Sequence, residues 1–342
     1  MQASRRHLLR LATATSAAAA IGGLVPVRAA YGQASQIKLK FGTVQPAGHP
    51  TVEGVKQAAD AIRQETNGQV DIQVYPNSQL GSDTDMLSQL RAGALHCTLH
   101  SGLILSTLIP VASINGVGFA FKDYDQVWAA MDGDLGSLVR SEITKAGLVP
   151  MARAWDTGFR HITTSTHPIA APADLKGLKI RVPISAMWTS LFKNLGASPT
   201  GVNFGEVYSA LQTKIVDGQE NPLGIIQIAR LYEVQKYLSL TGHMWDGMWF
   251  LFNGKVWNGL PKDIQEIISR RINEAVTAER EATAALNGRL VANLTEKGVV
   301  VNRPDVQPFR AMLRSSGFYS EWRGKFGPAA WATLEKYTGA LS

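Results

Sequence analysis

Between residues 37 and 93 the chain alternates two apolar patterns, and that alternation decides the class of fold. Ile37-Lys-Leu-Lys-Phe-Gly42 and Val70-Asp-Ile-Gln-Val-Tyr75 place apolar side chains at alternate positions, the period of a half-buried strand. Each leads through a loop (43–50 and 76–81) into a stretch with apolar residues near helical spacing. These are Val52, Val55, Ala59 and Ile62 after the first strand, and Met86, Leu87 and Leu90 after the second. Gly68 and Gly93 close the two helices. Strand, helix, strand, helix in that order specifies an α/β sheet with crossover helices. Residues 148–155 and 178–182 read as further strands. From Pro261 the pattern stays helical for about twenty-five residues, to near Leu286, with Ile264, Ile267, Ile268 and Ile272 on its apolar face. That is long for a globular helix, and long enough to span two lobes. No repeat and no low-complexity linker interrupts residues 35–342, which argues for two interwoven lobes over two beads on a string.

The first 34 residues read as an export signal. Ser4-Arg-Arg-His-Leu-Leu-Arg10 precedes a weakly apolar run, 11–27, and small residues follow with cleavage positions after Ala30 or Ala34. Paired arginines before a modest apolar core are the twin-arginine pattern; a general secretory signal with incidental arginines is the alternative. Either one takes the protein out of the cytoplasm, to a soluble periplasmic existence. Gly22, Gly23 and Pro26 make the run a poor membrane anchor. Arg5, Arg6, Arg10 and Arg28 account for four of the seven net positive charges, so the remaining chain has 30 basic against 27 acidic residues. No run of Lys and Arg interleaved with aromatics occurs there, which excludes the electrostatic footprint of a nucleic-acid binder. Cys97, the only cysteine, permits no intramolecular disulfide and reads as a buried inert thiol.

Two segments carry binding chemistry. In Asp174-Leu-Lys-Gly-Leu-Lys-Ile-Arg-Val-Pro183 a turn ends at Gly177 and a short apolar strand delivers Arg181 to its far end. A guanidinium presents a planar fork of donors that matches a carboxylate, and burying one is costly unless an anion answers it. An ion pair with Glu206 or Glu220 is the structural alternative. In Asp217-Gly-Gln-Glu-Asn-Pro222 the amide of Asn221 stands before a proline that fixes the local backbone. Together they form a clamp for a small carboxylate.

Catalytic signatures are missing. There is no Gly-x-Ser-x-Gly elbow, no phosphate-cradling Gly-Lys-Ser or Gly-Lys-Thr, and no His-Glu-x-x-His. Gly116-Val-Gly118-Phe-Ala-Phe121 starts like a dinucleotide fingerprint but has Phe where the third glycine is needed. His96 and His100 are four apart but lie in a strand-like run with no Asp or Cys companion, so no metal and no cofactor is expected.

Six segments in order resemble the periplasmic solute-binding subunits of TRAP transporters, in the dicarboxylate-binding-protein (DctP-like) branch. They are Pro76-Asn-Ser-Gln-Leu-Gly-Ser82, Gln89-Leu-Arg-Ala-Gly-Ala94, Gly158-Phe-Arg-His161 with Asp174 to Pro183, Phe204-Gly-Glu-Val-Tyr-Ser-Ala-Leu211, Val216-Asp-Gly-Gln-Glu-Asn-Pro222 and Tyr232-Glu-Val-Gln-Lys-Tyr237. The resemblance covers nearly all of the chain after residue 34. It implies a two-lobed α/β Venus-flytrap receptor bridged by a long helix, closing on a small organic acid and delivering it to a membrane permease. It assigns 35–157 plus about 247–285 to lobe I, and about 158–246 plus 286–342 to lobe II. Arg181 is then the signature salt bridge to the ligand carboxylate, Asn221 a hydrogen bond to the same group, and Phe204 a packing surface. Arg160 stands where many members place a second cation, its alternative being a rim charge packed on Trp155. Glu220 orients one of the arginines. First-lobe contacts come from Gln45 or Pro46 and from His100-Ser101-Gly102, while His96 replaces an acidic residue common in the family.

Trp155, Trp188 and Trp245 are candidates for an apolar cleft wall; Trp249 and Trp257 read as core. Two of the three in the cleft favour an aromatic or branched monocarboxylate or a 2-oxo acid, whereas a free Arg160 favours a dicarboxylate. A sensor subunit on the same fold is the rival from another class. The chain is expected to be a monomer, with the closing helix 328–337 available for a dimer.

Overall fold

A computed structural model describes residues 36–341; the export signal read at 1–34 lies outside them. Ten strands form one sheet: β1 (Ile37–Gly42), β2 (Val70–Tyr75), β3 (Cys97–Ser101), β4 (Leu148–Pro150), β5 (Trp155–Thr164), β6 (Lys179–Val182), β7 (Ser198–Gly201), β8 (Gly218–Pro222), β9 (Tyr237–Asn253) and β10 (Val300–Asn302). The order is β2-β1-β3-β9-β5-β8-β6-β7, with β4 and β10 also on β9. Parallel pairing within β2-β1-β3 at one end and β8-β6-β7 at the other gives the two halves of an α/β architecture.

The halves meet on β5 and β9, which run antiparallel. One end of β9 pairs with β3 and β4, the other with β10, so this 17-residue strand belongs to both halves. The β5–β9 ladder slips register twice, between Asp156 and Gly158 and between Arg160 and Ile162. Gly158 sits at the first slip with φ +108°, a conformation nearly closed to residues with a Cβ. Sequence patterning missed β9 because it is buried on both faces along most of its length and shows no alternation. The strand read at 148–155 is broken in two: the Met151 N–H still donates to the Phe250 carbonyl, but the chain bends at 152–153 before β5 begins.

The long helix runs from Lys262 to Glu296, 35 residues and roughly 52 Å at 1.5 Å per residue. It exceeds the expected end near Leu286 by a further ten residues. Ile264, Ile268, Ile272 and Val276 join an apolar core with β1, β3 and the carboxyl half of β9. Leu290 and Leu294 join a second core with Val207, Leu223, Ile226 and Leu238. That second anchorage carries the helix through Asn287-Gly288, which by propensity alone reads as a stop. The helix Pro328–Thr338 packs on the helices Tyr124–Met131 and Asp134–Lys145, burying Trp331 completely within the chain.

Candidate functional site

Ligands of open α/β sheets bind outside the carboxyl ends of the parallel strands. Here the chain leaving β1, β3, β6, β7 and β8 lines a partly open cavity of about 460 Å³, the solvent at its mouth included. The exit of β1 contributes Val44 and Gln45, β3 contributes Ser101, β6 contributes Arg181, and β8 contributes Asn221. Phe204 enters from the segment after β7, and Arg160 and Asp246 from β5 and β9.

Arg181 is carried in by Ile180 and Val182, both buried, and is itself only 2% exposed. Its Nε and Nη2 donate to the Val202 carbonyl at 2.9 and 2.6 Å. Neither ion pair that the sequence allows, to Glu206 or to Glu220, is formed, and no other carboxylate among the described residues lies within 4.0 Å. Burial drives its pKa down to about 10, with Glu220 and Asp83 opposing and Arg160 adding to the effect. A buried guanidinium held by one carbonyl lacks a countercharge at ion-pair distance.

Arg160 is in the opposite condition. Its Nε and Nη2 donate to the Glu220 carboxylate at 2.5 and 2.7 Å, and Nη1 donates to Asp246 Oδ2 at 2.6 Å. Burial opposes its charge, but the two carboxylates outweigh burial and hold the pKa above the ordinary guanidinium value. Burial likewise works against ionised Glu220, and Arg160 and His243 more than offset it, bringing the pKa to about 2. His243 Nε2 lies 3.0 Å from Glu220 Oε2. For Asp246 burial wins over Arg160 and raises the pKa, even as Ser101 Oγ donates to its Oδ1 at 2.6 Å. The Arg160 guanidinium lies over the Trp188 ring, 5.9 Å from its centroid, and not on Trp155.

Gln45, Ser101, Asn221 and Phe204 all line the cavity with the two arginines. Asn221 donates through Nδ2 to Gln219 Oε1 at 2.5 Å. Gln45 leaves its Oε1 buried without a hydrogen-bond donor. Phe204 also packs against Val44, Met86 and Leu95. Four sequence expectations need correction. Trp155 and Trp245 are fully buried core residues: Trp155 lies against Phe250, and Trp245 lies edge-on to Trp128 with its Nε1 donating to Asp156. Trp188 is also fully buried, beneath Arg160. His100 points into the core of β3, neutral because burial lowers its pKa to about 4. Glu220, by contrast, stands behind Arg160 and orients it, in line with the sequence reading, and does not line the cavity.

Asp83 was not anticipated. It is the first residue of the helix Asp83–Ala92, whose capping box is formed by Ser82 and Asp85. In Ser-Asp-Thr-Asp an acidic residue at a helix start reads as a capping or dipole charge, which masks its second position, 5% exposed on the cavity wall. Burial raises its pKa to about 6 against the pull of Arg181 and a hydrogen bond from the Phe204 N–H. Among the described residues no cluster of His, Cys, Asp and Glu is arranged to hold a metal ion.

A family model for bacterial extracellular solute-binding proteins, family 7, matches residues 41–318. An uncharacterised protein of Sinorhizobium fredii is 36% identical over 84% of this chain, which spans 52% of that relative's length. A sialic acid-binding periplasmic protein of Vibrio cholerae is 33% identical over 84% of this chain and 89% of its own. The solved sugar acid binding protein of Advenella mimigardefordensis, in complex with galactonate, superposes with a TM-score of 0.85 at 27% identity, covering 90% of this chain and 99% of that one.

Proposed function

The chain belongs to the bacterial extracellular solute-binding proteins of family 7, the two-lobed receptors of TRAP transporters, and on that premise we propose that it captures a small organic acid by closing Arg181 on its carboxylate. It is a receptor, not an enzyme. The observation that carries the proposal is the contrast between two buried arginines in one cavity: Arg160 is matched by two carboxylates, and Arg181 by none. Asn221 and Phe204 complete the grip on the same end of the ligand.

The lining favours one class of acid. With Arg160 neutralised, a dicarboxylate has no second free cation to meet. With Trp155, Trp188 and Trp245 in the core, the aromatic wall shrinks to Phe204, which reduces the case for an aromatic acid. Asp83 and the Gln45 Oε1 present acceptors that need donors. A monocarboxylate bearing hydroxyl groups supplies both ends, and the sialic acid- and galactonate-binding relatives are consistent with it. The receptor works in the periplasm after export and hands the acid to its permease, its lobes hinging on β5 and β9.

The test is calorimetric titration with mono-, di- and hydroxycarboxylates, beside Arg181→Ala and Arg181→Lys. Micromolar binding of one class, lost in the Ala variant and partly kept in the Lys variant, supports the clamp. Binding that survives Arg181→Ala refutes it.

A further inference from the structure

We propose that the chain carries a second small-molecule site, on the opposite face of β5 and β9 from Arg181, that takes an anion with an aromatic or bulky apolar body. Neighbouring side chains of a strand point to opposite faces of the sheet. Along β5, Arg160 faces the first cavity while Phe159 and His161 line another, a partly open one of about 1070 Å³ with the solvent at its mouth included. Along β9, Asp246 and Met248 line the first cavity, and Thr241 and Gly242 the second. The two cavities share no lining residue. The second is therefore a separate space, walled by the same pair of strands.

Its chemistry is apolar and cationic. Phe121, Tyr124 and Phe159 supply aromatic surface, the last two edge-to-face with centroids 5.3 Å apart. Such rings offer apolar faces that take the flat body of a ligand out of water. The charged residues of the lining are Lys122 and Arg310; no carboxylate lines it. Among the described residues Arg310 has no carboxylate within 4.0 Å, and Lys122 has only its exposed neighbour Asp123 at 3.8 Å. His161 is neutral: burial lowers its pKa to about 3, His243 and Arg303 add to that, and its Nδ1 accepts the Gly242 N–H at 3.0 Å. Arg310 supplies a bidentate fork for a carboxylate or sulfonate, and Lys122 a second positive charge at the rim. Asn287, from the long helix, lines the same space. Apolar floor, an unpaired guanidinium and a second cation at the rim together select an aryl anion. This reading stands independently of the Arg181 clamp.

The probe is 8-anilinonaphthalene-1-sulfonate, an aryl sulfonate with an N–H, titrated by fluorescence into the purified chain. We expect saturable binding that is unchanged in Arg181→Ala and weakened at least tenfold in Lys122→Glu/Arg310→Glu. Arg310→Lys should recover part of that loss. Lys122 is exposed, so Lys122→Glu alone, expected to weaken binding severalfold, keeps the test valid if the double variant fails to fold. Fluorescence that does not saturate, that is indifferent to both charge reversals, or that disappears with Arg181→Ala overturns the proposal.

Discussion

Glu279 Oε2 accepts the backbone N–H of Asp156 at 3.0 Å, tying the long helix to β5 where its ladder with β9 first slips register. Its other oxygen accepts from Thr283 Oγ1 at 2.8 Å, and both acids are buried. Burial, reinforced by the nearby Asp156 charge, raises the Glu279 pKa from 4.5 to about 8. The folded state thus holds a proton that the unfolded state has released, and between pH 4.5 and 8 this site costs stability as pH rises.

Glu279→Gln keeps the acceptor for the Asp156 N–H, turns the Thr283 contact round so that the amide nitrogen donates to the hydroxyl, and removes the titration. We expect it to raise Tm at pH 8, by roughly 2 °C for each 1 kcal/mol in a chain of this size, and to leave it unchanged at pH 4.5. Melting curves across that range check the sign, and a Gln variant less stable at pH 8 would contradict it.

The two cavity arginines should respond oppositely to loss of their surroundings. Glu220→Ala strips Arg160 of a bidentate partner inside the protein, at a cost of roughly 3–5 kcal/mol, read as a Tm fall of roughly 6 °C or more. Arg181→Ala removes a buried charge that has no carboxylate to leave behind, and should hold or raise Tm without ligand. Its effect belongs to affinity, a loss of roughly two to three and a half decades. Equal melting of the two variants would remove the distinction on which the clamp rests.

Asp83→Asn separates stability from recognition. The folded-state pKa of about 6 lies above the ordinary 3.8, so ionised Asp83 lowers stability as pH rises through that window. The Asn variant should be the more stable protein above pH 6. It should also discriminate a hydroxy acid from its deoxy analogue less well, because a charged acceptor for the hydroxyl has become a neutral amide. Titration of the paired ligands at pH 7 measures that ratio, and an unchanged ratio would exclude Asp83 from recognition.

Gly158→Ala tests the register slip. A Cβ there would lie 2.9 Å from Asn287 Nδ2 on a backbone at φ +108°. We expect a loss of roughly 1–3 kcal/mol, seen as a lower urea midpoint with unchanged slope.

The sequence made the first parallel units legible because β1 and β2 are half-buried and Gly93, in the left-handed region, caps its helix as read; the first helix stops earlier than Gly68, capped by Thr66. Arg181 and Asn221 were legible because an arginine closing an apolar strand and an amide before proline are local signals. What stayed hidden was pairing across the sheet. Glu220 reads in the sequence as a partner for one of the arginines, but nothing near Arg160 announces that it is the one, sixty residues away, or that Asp246, eighty-six away, completes its neutralisation. The tryptophans misled because an aromatic residue beside a cleft strand can face either side, and the slips in β5 decide which. Asp83 was concealed by a capping pattern that accounts for acidic residues there without reference to a cavity.

The sharing of β5, β9 and the long helix between both halves also governs how such a receptor can change its ligand over evolutionary time. No single crossover in the coding sequence exchanges one complete half for a relative's, since each half draws strands from several stretches of chain. A recombinant would inherit a mismatched sheet before it inherited a new specificity.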